Sequence, residues 1–182
     1  FRQLVKDVDI LVESFRPHVM PSLGLSYEEL EKINPKLVMT SISNFGQTGP
    51  YRDFKATDMI IHGMSGPMHL TGIPEREPLK IGGTVISYQV GNIAAVATMF
   101  CLYGAEARGS GEHLDVSAFE VQKGSIDRVA ADLMGYQYCG DFSVRASPRR
   151  RGYPWGTYPC KDGYFDIFDG GVVFFPRAAQ MI

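Results

Sequence analysis

Two loop segments carry the residues best suited to contact a ligand. Residues 14–25 read SFRPHVMPSLGL after a short apolar run, and Arg16 and His18 in this loop are side chains that can bind phosphate oxygens. Residues 45–50 read FGQTGP after another apolar run, and glycines there let main-chain N–H groups approach an anion closely. A solvated loop with a lone arginine, and an ordinary strand-to-helix connection, fit the same residues, so both interpretations stay open.

Histidine and cysteine usage argues against a metal site or a disulfide framework. His62 and His69 are spaced so that they can share a helix face, but no Asp, Glu or Cys completes a ligand set with them. The cysteines are Cys101, Cys139 and Cys160, an odd number without a CxxC pair. We therefore expect no bound metal, a reducing compartment and a cytoplasmic location.

The elements that must position the two loops follow from apolar periodicity. Residues 8–13 and 36–43 are apolar runs typical of buried parallel strands. Between them, Ser26 with Glu29 matches a capping box that starts a helix, and Asn34-Pro35 ends it. Strand, helix and strand in this order predict a right-handed βαβ unit. Ligands bind at the carboxyl ends of such strands, which is where both loops lie.

The middle of the chain is mainly helical. A short helix is predicted from residue 58, with Thr57 or Asp58 as its N-cap. Residues 88–107 are small and apolar nearly all round, which predicts a helix buried between other elements. Residues 113–117 predict a brief strand, and residues 118–138 return to helical spacing. The longest apolar run, residues 93–103, is short of the roughly 20 residues that a membrane-spanning helix needs, so no spanning segment is expected.

The last part of the chain changes in character. Residues 145–154 are basic and punctuated by Pro and Gly, which predicts a linker; the arginine run 149–151 fits either a phosphate contact or an exposed cluster. Residues 157–160 and 164–168 flank Lys161-Asp162-Gly163, which predicts a β-hairpin with Gly163 at positive φ. We therefore divide the chain into a large domain (1–144), a linker (145–156) and the beginning of a small domain (157–182).

Composition is that of an ordinary globular protein. The 182 residues are 45% hydrophobic and 21% charged, and the net charge is −2. This charge gives no general attraction to nucleic acid or to an anionic membrane, and neither partner is expected. Phe1 is not an initiator methionine and residues 177–182 carry no helix-stop signal, so we expect further N- and C-terminal parts.

Five segments in this order resemble the motifs of the family III CoA-transferases, a group that includes formyl-CoA transferase, carnitine CoA-transferases and the related α-methylacyl-CoA racemases. They are VESFRPHVMPSLGLSYEEL, NPKLVMTSISNFGQTGPY, MSGPMHLTG, RGSGEHLDVSAFE and YPCKDGYF. The resemblance covers essentially the whole chain. It implies an α/β fold with an open, mostly parallel Rossmann-like sheet in the large domain, the start of a small α+β domain, and an interlocked homodimer or heterodimer.

The resemblance also implies an activity and a binding site. Family members move CoA from an acyl-CoA donor to a free carboxylic acid, so coenzyme A is a substrate and no permanently bound cofactor is expected. Where the family has an arginine before the Leu-Gly of the first loop, this chain has Ser22. By the family's pattern, the CoA contacts fall on Ser14, Phe15, Arg16, Val19, Leu23 and Lys55.

The catalytic position departs from the family. The aspartate that attacks the thioester, forms a mixed anhydride and becomes an aspartyl-CoA thioester falls on Ser87. A serine cannot do the same, because its acyl ester is too stable and its hydroxyl needs an activating base. The racemase histidine falls on Thr57, so racemization is disfavoured, while Asp58 and Glu120 remain as carboxylates near the expected site.

Three hypotheses are compatible with the sequence. In the first, the chain is a working CoA-transferase whose nucleophile is another carboxylate or an aspartate at a shifted position. In the second, it is a non-catalytic subunit of a heteromeric transferase. In the third, it is an acyl-CoA thioesterase or lyase that uses water where the transferase uses a carboxylate.

Overall fold

The computed structural model describes residues 1–124, 131–140, 145 and 156–167. The arginine run 149–151, most of the predicted linker, and residues 168–182 lie outside the described residues, as do residues 125–130 of the predicted helix 118–138. The division into domains therefore stays a prediction. The helices and strands are α1 (Arg2–Val5), β1 (Ile10–Glu13), α2 (Val19–Ser22), α3 (Tyr27–Glu31), β2 (Val38–Ser43), α4 (Asp58–Met64), a 3-10 helix (Pro67–Leu70), α5 (Val85–Arg108), β3 (Glu112–Ser117), α6 (Ala118–Lys123), α7 (Ala131–Cys139), β4 (Gly156–Cys160) and β5 (Gly163–Ile167).

Three strands form a parallel sheet in the order β1-β2-β3, which confirms the predicted α/β fold and its βαβ unit. On one face, α1, α2 and α3 close a core of Val5, Met20, Leu30, Leu37 and Met39. On the other face, α4 and α5 close a second core of Phe45, Ile61, Ile86, Val90, Ala94 and Val116. The sheet is thus the middle layer of the domain, as expected when crossover helices cover both faces of parallel strands.

The start of β3 is held very close to β2. The Gly111 N–H donates to the Pro35 carbonyl at 2.7 Å, just before the two strands begin to pair. A Cβ at position 111 would collide with the Leu37 carbonyl oxygen. Only glycine fits this approach, because no rearrangement of a flexible side chain could relieve a clash with main chain.

The start of α3 differs from the predicted capping box. The helix begins at Tyr27 after Ser26, but the Ser26 side chain caps no main-chain N–H. The nearby Ser26 hydroxyl instead favours the charged Glu28 carboxylate and is the main cause of a lowered pKa for Glu28. Glu29 pairs with Lys32 at 2.6 Å rather than reaching back to the cap. The segment before α3 also differs from the prediction: residues 14–25 were expected to form a loop, but they contain the short helix α2.

Helix α5 has 24 residues and, in the described part of this single chain, it is buried on one side and exposed on the other, which differs from the expected burial all round. Its exposed side carries an apolar face, defined by Tyr88, Ile93, Val96, Met99, Phe100 and Tyr103, with side chains 53–75% exposed. By length and composition alone, α5 also meets the criteria for a membrane-spanning helix, which the run 93–103 did not suggest. Its other side, a stripe with Ile86, Val90, Ala94, Thr98 and Ala105, is buried in the domain.

A pair of buried hydroxyl groups fixes α5 on the sheet. The Thr98 hydroxyl donates to the Ala94 carbonyl at 2.6 Å, as is common for threonine in helices. Its single proton is then used, so the Thr40 hydroxyl of β2 donates to the Thr98 oxygen across 2.7 Å. Both side chains are buried, which makes this short chain of hydrogen bonds sensitive to the loss of either partner.

We predict that Thr98→Val destabilises the protein by about 1–3 kcal/mol, because it leaves the buried Thr40 hydroxyl without an acceptor. The double variant Thr40→Val, Thr98→Val should be less destabilised than Thr98→Val alone, since no polar atom is then left unsatisfied. Urea unfolding of the complete gene product and the four-variant cycle measure this. Simple additivity of the two substitutions would contradict the proposed arrangement.

The described C-terminal residues form a hairpin, as predicted. Strands β4 and β5 pair antiparallel, with Cys160 opposite Gly163, and Tyr158 and Phe165 contact each other across the pair. Gly163, however, does not adopt the predicted positive φ, and among the described residues no non-glycine residue does. The two-residue turn therefore has negative φ at Lys161 and Asp162.

Arg145 lies at the start of the predicted linker and is firmly held. Its guanidinium donates to the carbonyl oxygens of His69, Ile73 and Arg76 at 3.2, 3.2 and 3.0 Å. His69 belongs to the 3-10 helix, and Ile73 and Arg76 belong to the turn region that follows it. At Arg145, then, the chain contacts the predicted large domain.

Candidate functional site

An open cavity of about 700 Å³ lies at the carboxyl end of the parallel sheet. Loops after β1 and β2, the segment before α4 and the first turns of α5 form its walls. This is the edge where ligands bind in open α/β sheets, and the volume falls in the range of small-molecule sites. The lining residues are Ser14, Phe15, Arg16, Pro17, His18, Ile42, Ser43, Asn44, Arg52, Asp53, Phe54, Lys55, Ala56, Asp58, Ile61, Ile86, Ser87, Val90, Gly91 and Ala118.

Most of the predicted site residues meet in this cavity. Ser14, Phe15 and Arg16 come from the loop after β1, Lys55 from the segment before α4, and Ser87 from α5. Val19 and Leu23 do not line the cavity: Val19 begins α2, and Leu23 follows its end with 62% of its surface exposed. The CoA-binding and catalytic roles of these residues stay predictions.

The loop after β1 is fixed from both of its ends. The Phe15 N–H donates to Oε2 of Glu13, the last residue of β1, at 2.8 Å. The Val19 N–H donates to the Arg16 carbonyl at 2.9 Å, where α2 begins. As a result, the side chains of Phe15 and Arg16 are exposed at the cavity while their main chain is held in place.

An aromatic cluster positions the segment that carries Lys55. Phe45 is buried and contacts the rings of Tyr51, Phe54 and Phe119 at centroid distances of 5.8, 6.3 and 5.8 Å. Beyond Lys55, the Ala56 carbonyl accepts a hydrogen bond from the Asn44 side chain at 3.1 Å. The main chain on both sides of Lys55 is thus tied to the end of β2 and to the core.

The glycine loop 45–50 is tied to neighbouring side chains through two of its main-chain N–H groups. The Gly46 N–H donates to the Ser43 hydroxyl at 2.9 Å, and the Gln47 N–H donates to Oδ2 of Asp115 at 2.8 Å. These donors are already used, and none of residues 45–50 lines the cavity. Of the two interpretations that the sequence left open, the structure favours the ordinary connection. Asn44, just before this loop, is the residue that reaches the cavity.

Ser87 lies in the first turn of α5 with its side chain exposed, next to the cavity. Its neighbour Ile86 points into the core, and the stripe of buried residues that follows fixes the rotation of the helix. Main-chain N–H groups in the first turn of a helix have no acceptor within the helix and carry partial positive charge. Just ahead of α5, Lys80 donates to the carbonyl groups of Ile81 and Gly83 at 2.9 and 2.8 Å and fixes the approach to the helix.

The lining contains three cationic side chains, Arg16, Arg52 and Lys55, and two carboxylates, Asp53 and Asp58. Arg52 contacts Asp53 at 3.6 Å, a weak pair between exposed side chains. Arg16 and Lys55 make no ion pair within the described residues, which leaves two cations available for an anionic ligand. The cavity also contains Asp58, the carboxylate that the sequence placed near the catalytic position. In the part of the chain that the structure describes, no cluster of three or more His, Cys, Asp or Glu side chains could hold a metal ion.

Sequence reasoning missed part of the lining. It named Lys55 but not Arg52, Asp53 or Phe54, which precede it directly and share its wall. The signal was present as the run RDFK, polar and aromatic residues next to a predicted helix start. It also did not name Asn44, because an asparagine at a strand end is equally common in turns that bind nothing.

A parallel sheet with helices on both faces and a cavity at its carboxyl edge is the arrangement of an open α/β domain. The sequence model of CoA-transferase family III matches residues 1–182, and the chain belongs to this family. Among solved structures, a CaiB/BaiF family protein from Brucella suis is similar with a TM-score of 0.84 and 34% identity, over 99% of this chain and 47% of that one.

Two curated relatives are CoA-transferases that are named for different acids. An acetyl-CoA:oxalate CoA-transferase of Acetobacter aceti is 38% identical over 100% of this chain and 46% of its own length. A succinyl-CoA–L-malate CoA-transferase beta subunit of Chloroflexus aurantiacus is 32% identical over 93% of this chain and 40% of its own length. The chain thus spans a little under half the length of the relatives it matches.

Proposed function

We propose that this chain supplies the CoA-binding domain of a CoA-transferase, which moves CoA from an acyl-CoA donor to a free carboxylic acid. The observation that carries the proposal is the meeting of Phe15, Arg16, Lys55 and Ser87 in one cavity at the carboxyl edge of the sheet. Membership of the family and relatives named as CoA-transferases support the same activity.

The lining suits the chemistry of CoA. The phosphates of CoA are anionic, and Arg16 and Lys55 are cations not already paired with a carboxylate of the described residues. Phe15 and Phe54 are each 56% exposed and offer ring faces on which an adenine can stack. The first turn of α5 has N–H groups that favour the partial negative charge of a thioester oxygen near Ser87. CoA leaves with the products, so it is a substrate and not a resident cofactor.

We predict that CoA binds to the complete gene product and that Arg16→Ala lowers its affinity about ten-fold or more, because a charge-assisted hydrogen bond to phosphate is lost. Isothermal titration with CoA measures this. Lys32→Ala is the matched control: it also removes one positive charge, but from an exposed ion pair at the end of α3, outside the cavity.

Absence of CoA binding in the millimolar range would refute the proposed function itself. Equal losses of affinity in Arg16→Ala and Lys32→Ala would leave only a general charge effect. In that case, Arg16 has no specific contact with the ligand.

Chemistry by the family's route requires a carboxylate at the reacting thioester. The aspartate oxygen attacks the thioester carbonyl carbon, the C–S bond breaks, and CoA leaves as the thiolate to give a mixed anhydride. The thiolate then attacks the aspartyl carbonyl and releases the first carboxylate, so that CoA is held on the enzyme for the acceptor acid. Ser87 stands where this aspartate is expected, and Asp58 is the other carboxylate considered for the role, since it lines the same cavity.

The second candidate function is that of a non-catalytic subunit in a heteromeric transferase. It is favoured by Ser87 at the nucleophile position and by a relative that is itself named a beta subunit. In this case the chain binds CoA and completes the assembly, while a related chain supplies the aspartate. The substrates named for the two relatives, oxalate and L-malate, make short dicarboxylic acids the first acceptors to assay.

We predict that Ser87→Asp allows a covalent acyl- or CoA-enzyme adduct that the parent protein does not form, because it restores a nucleophile in an otherwise prepared site. Incubation with acyl-CoA, followed by intact-protein mass spectrometry and hydroxylamine trapping, measures this. Ser87→Asn is the control, since it has the size of aspartate but cannot form the anhydride.

The parent protein distinguishes the remaining hypotheses. An adduct on Asp58 or Glu120 in the parent would reject the non-catalytic subunit and relocate the nucleophile. Release of free CoA with no acceptor present would favour the thioesterase. If neither Ser87→Asp nor the parent forms an adduct, position 87 is not where the thioester reacts.

We also propose that a partner chain covers the apolar face of α5, in an interlocked homodimer or heterodimer. Six apolar side chains on one side of this helix are at least half exposed there, and contiguous apolar surface of this kind is typical of protein interaction sites. Burial against a protein partner would also account for the composition of α5 without a membrane. We further propose that the protein is cytoplasmic and that it binds neither nucleic acid nor a membrane, as expected from the sequence.

We predict that the complete gene product is at least a dimer by light scattering, and that Phe100→Arg on this face weakens the association or blocks assembly. Leu4→Arg on α1 is the control, since Leu4 is 69% exposed and Phe100 73%. A monodisperse monomer with a cooperative thermal transition would contradict the proposed dimer.

A further inference from the structure

One lateral row of residues crosses the carboxyl end of the sheet. Glu13 of β1 pairs with Ser41 of β2, and Ser41 pairs with Asp115 of β3. Residues paired across neighbouring strands point to the same face, so the row is carboxylate, hydroxyl, carboxylate. The two carboxylates belong to strands two positions apart, roughly 10 Å from each other.

Each carboxylate of this row binds the main chain of a loop. Glu13 accepts from the Phe15 N–H at 2.8 Å, and Asp115 accepts from the Gln47 N–H at 2.8 Å. The two bonds have the same length and chemistry, but they serve different loops. Phe15 lies at the cavity, whereas Gln47 belongs to the glycine loop that does not line it.

Glu13 is a buried carboxylate next to the cavity in which we propose that the anionic CoA binds. Its side chain is 8% exposed, and it precedes Arg16 by three residues. A buried acid costs free energy, and a negative charge near a phosphate weakens binding. Neither effect helps an anion site, so the benefit must lie in the geometry of the hydrogen bond to Phe15.

We propose that Glu13 is a positioning residue of the cavity: its carboxylate holds the main chain at Phe15, so that the Phe15 ring and the Arg16 guanidinium face the ligand. The inference rests on the proposed CoA site. It assigns to Glu13 no contact with the ligand, since Glu13 does not line the cavity. Asp115 does the same for the glycine loop, none of whose residues lines the cavity.

Charge and geometry make opposite predictions for Glu13, which makes the inference testable. If only its negative charge mattered, any neutral substitution would increase the affinity for CoA. If its hydrogen bond matters, the outcome depends on whether the new side chain still has an acceptor. Glu13→Gln keeps an acceptor oxygen at the same reach, while Glu13→Met has similar size and flexibility but no comparable acceptor.

The experiment compares wild type, Glu13→Gln, Glu13→Met and Asp115→Leu as complete gene products. Hydrogen exchange at the Phe15 and Gln47 amides reports the two loop bonds, and isothermal titration with CoA reports binding. We expect a protected Phe15 amide in wild type and Glu13→Gln, and exchange at least about ten-fold faster in Glu13→Met. CoA should bind Glu13→Gln as tightly as wild type or more tightly, and Glu13→Met at least about five-fold more weakly.

Asp115→Leu is the matched control, because it removes an equivalent carboxylate–amide bond from a loop outside the cavity. We expect it to expose the Gln47 amide to exchange and to leave the CoA affinity within two-fold of wild type, as roughly 0.4 kcal/mol or less. Thermal unfolding of all variants shows which of them are folded. If Glu13→Met does not fold, Glu13→Ala takes its place with the same expected losses.

The inference is overturned by an unprotected Phe15 amide in wild type, a measurement that needs no substitution. It is also overturned if Glu13→Met binds CoA as well as Glu13→Gln does, or if Asp115→Leu weakens CoA binding as much as Glu13→Met. Failure of the wild type to bind CoA at all would instead remove the proposed function. The exchange data would then still decide whether Glu13 holds the loop.

Discussion

The parallel pairing of β1, β2 and β3 is the constraint on which the rest of the structure depends. Parallel strands end at the same edge, so the loops after β1 and β2 must lie side by side. The helix α5, which packs along one face, brings its first turn to the same edge. Three segments that are distant in sequence therefore meet in one cavity, and the strand pairing and helix packing that bring them together also stabilise the fold.

The two faces of the sheet contribute to the cavity in different ways. On the α5 face, hydrophobic packing and the Thr40–Thr98 hydroxyl pair fix the helix and with it Ser87. On the other face, carboxylates at the strand ends bind main-chain N–H groups of the loops. Packing thus sets the position of a whole helix, whereas single charge-assisted hydrogen bonds set the conformation of short loops, where little apolar surface is available.

The strands, the helix α4 and the hairpin were predictable because their signals are local: apolar runs, cap residues and turn residues. The cavity was predictable only in outline, as an edge of the sheet. The contacts that shape it join residues far apart in the chain, such as Gln47 with Asp115, and a single sequence contains no sign of which acid serves which amide. Burial of α5 was overestimated because an apolar composition does not say whether the covering surface belongs to the same chain.

The close approach at Gly111 has a consequence for how this protein can vary. Every other amino acid carries a Cβ, and at this position a Cβ would collide with the Leu37 main chain. A missense change in this codon therefore acts on the pairing of β2 with β3, whatever the chemistry of the new side chain. Among natural variants, we therefore expect only changes between glycine codons at position 111, although Gly111 does not line the cavity.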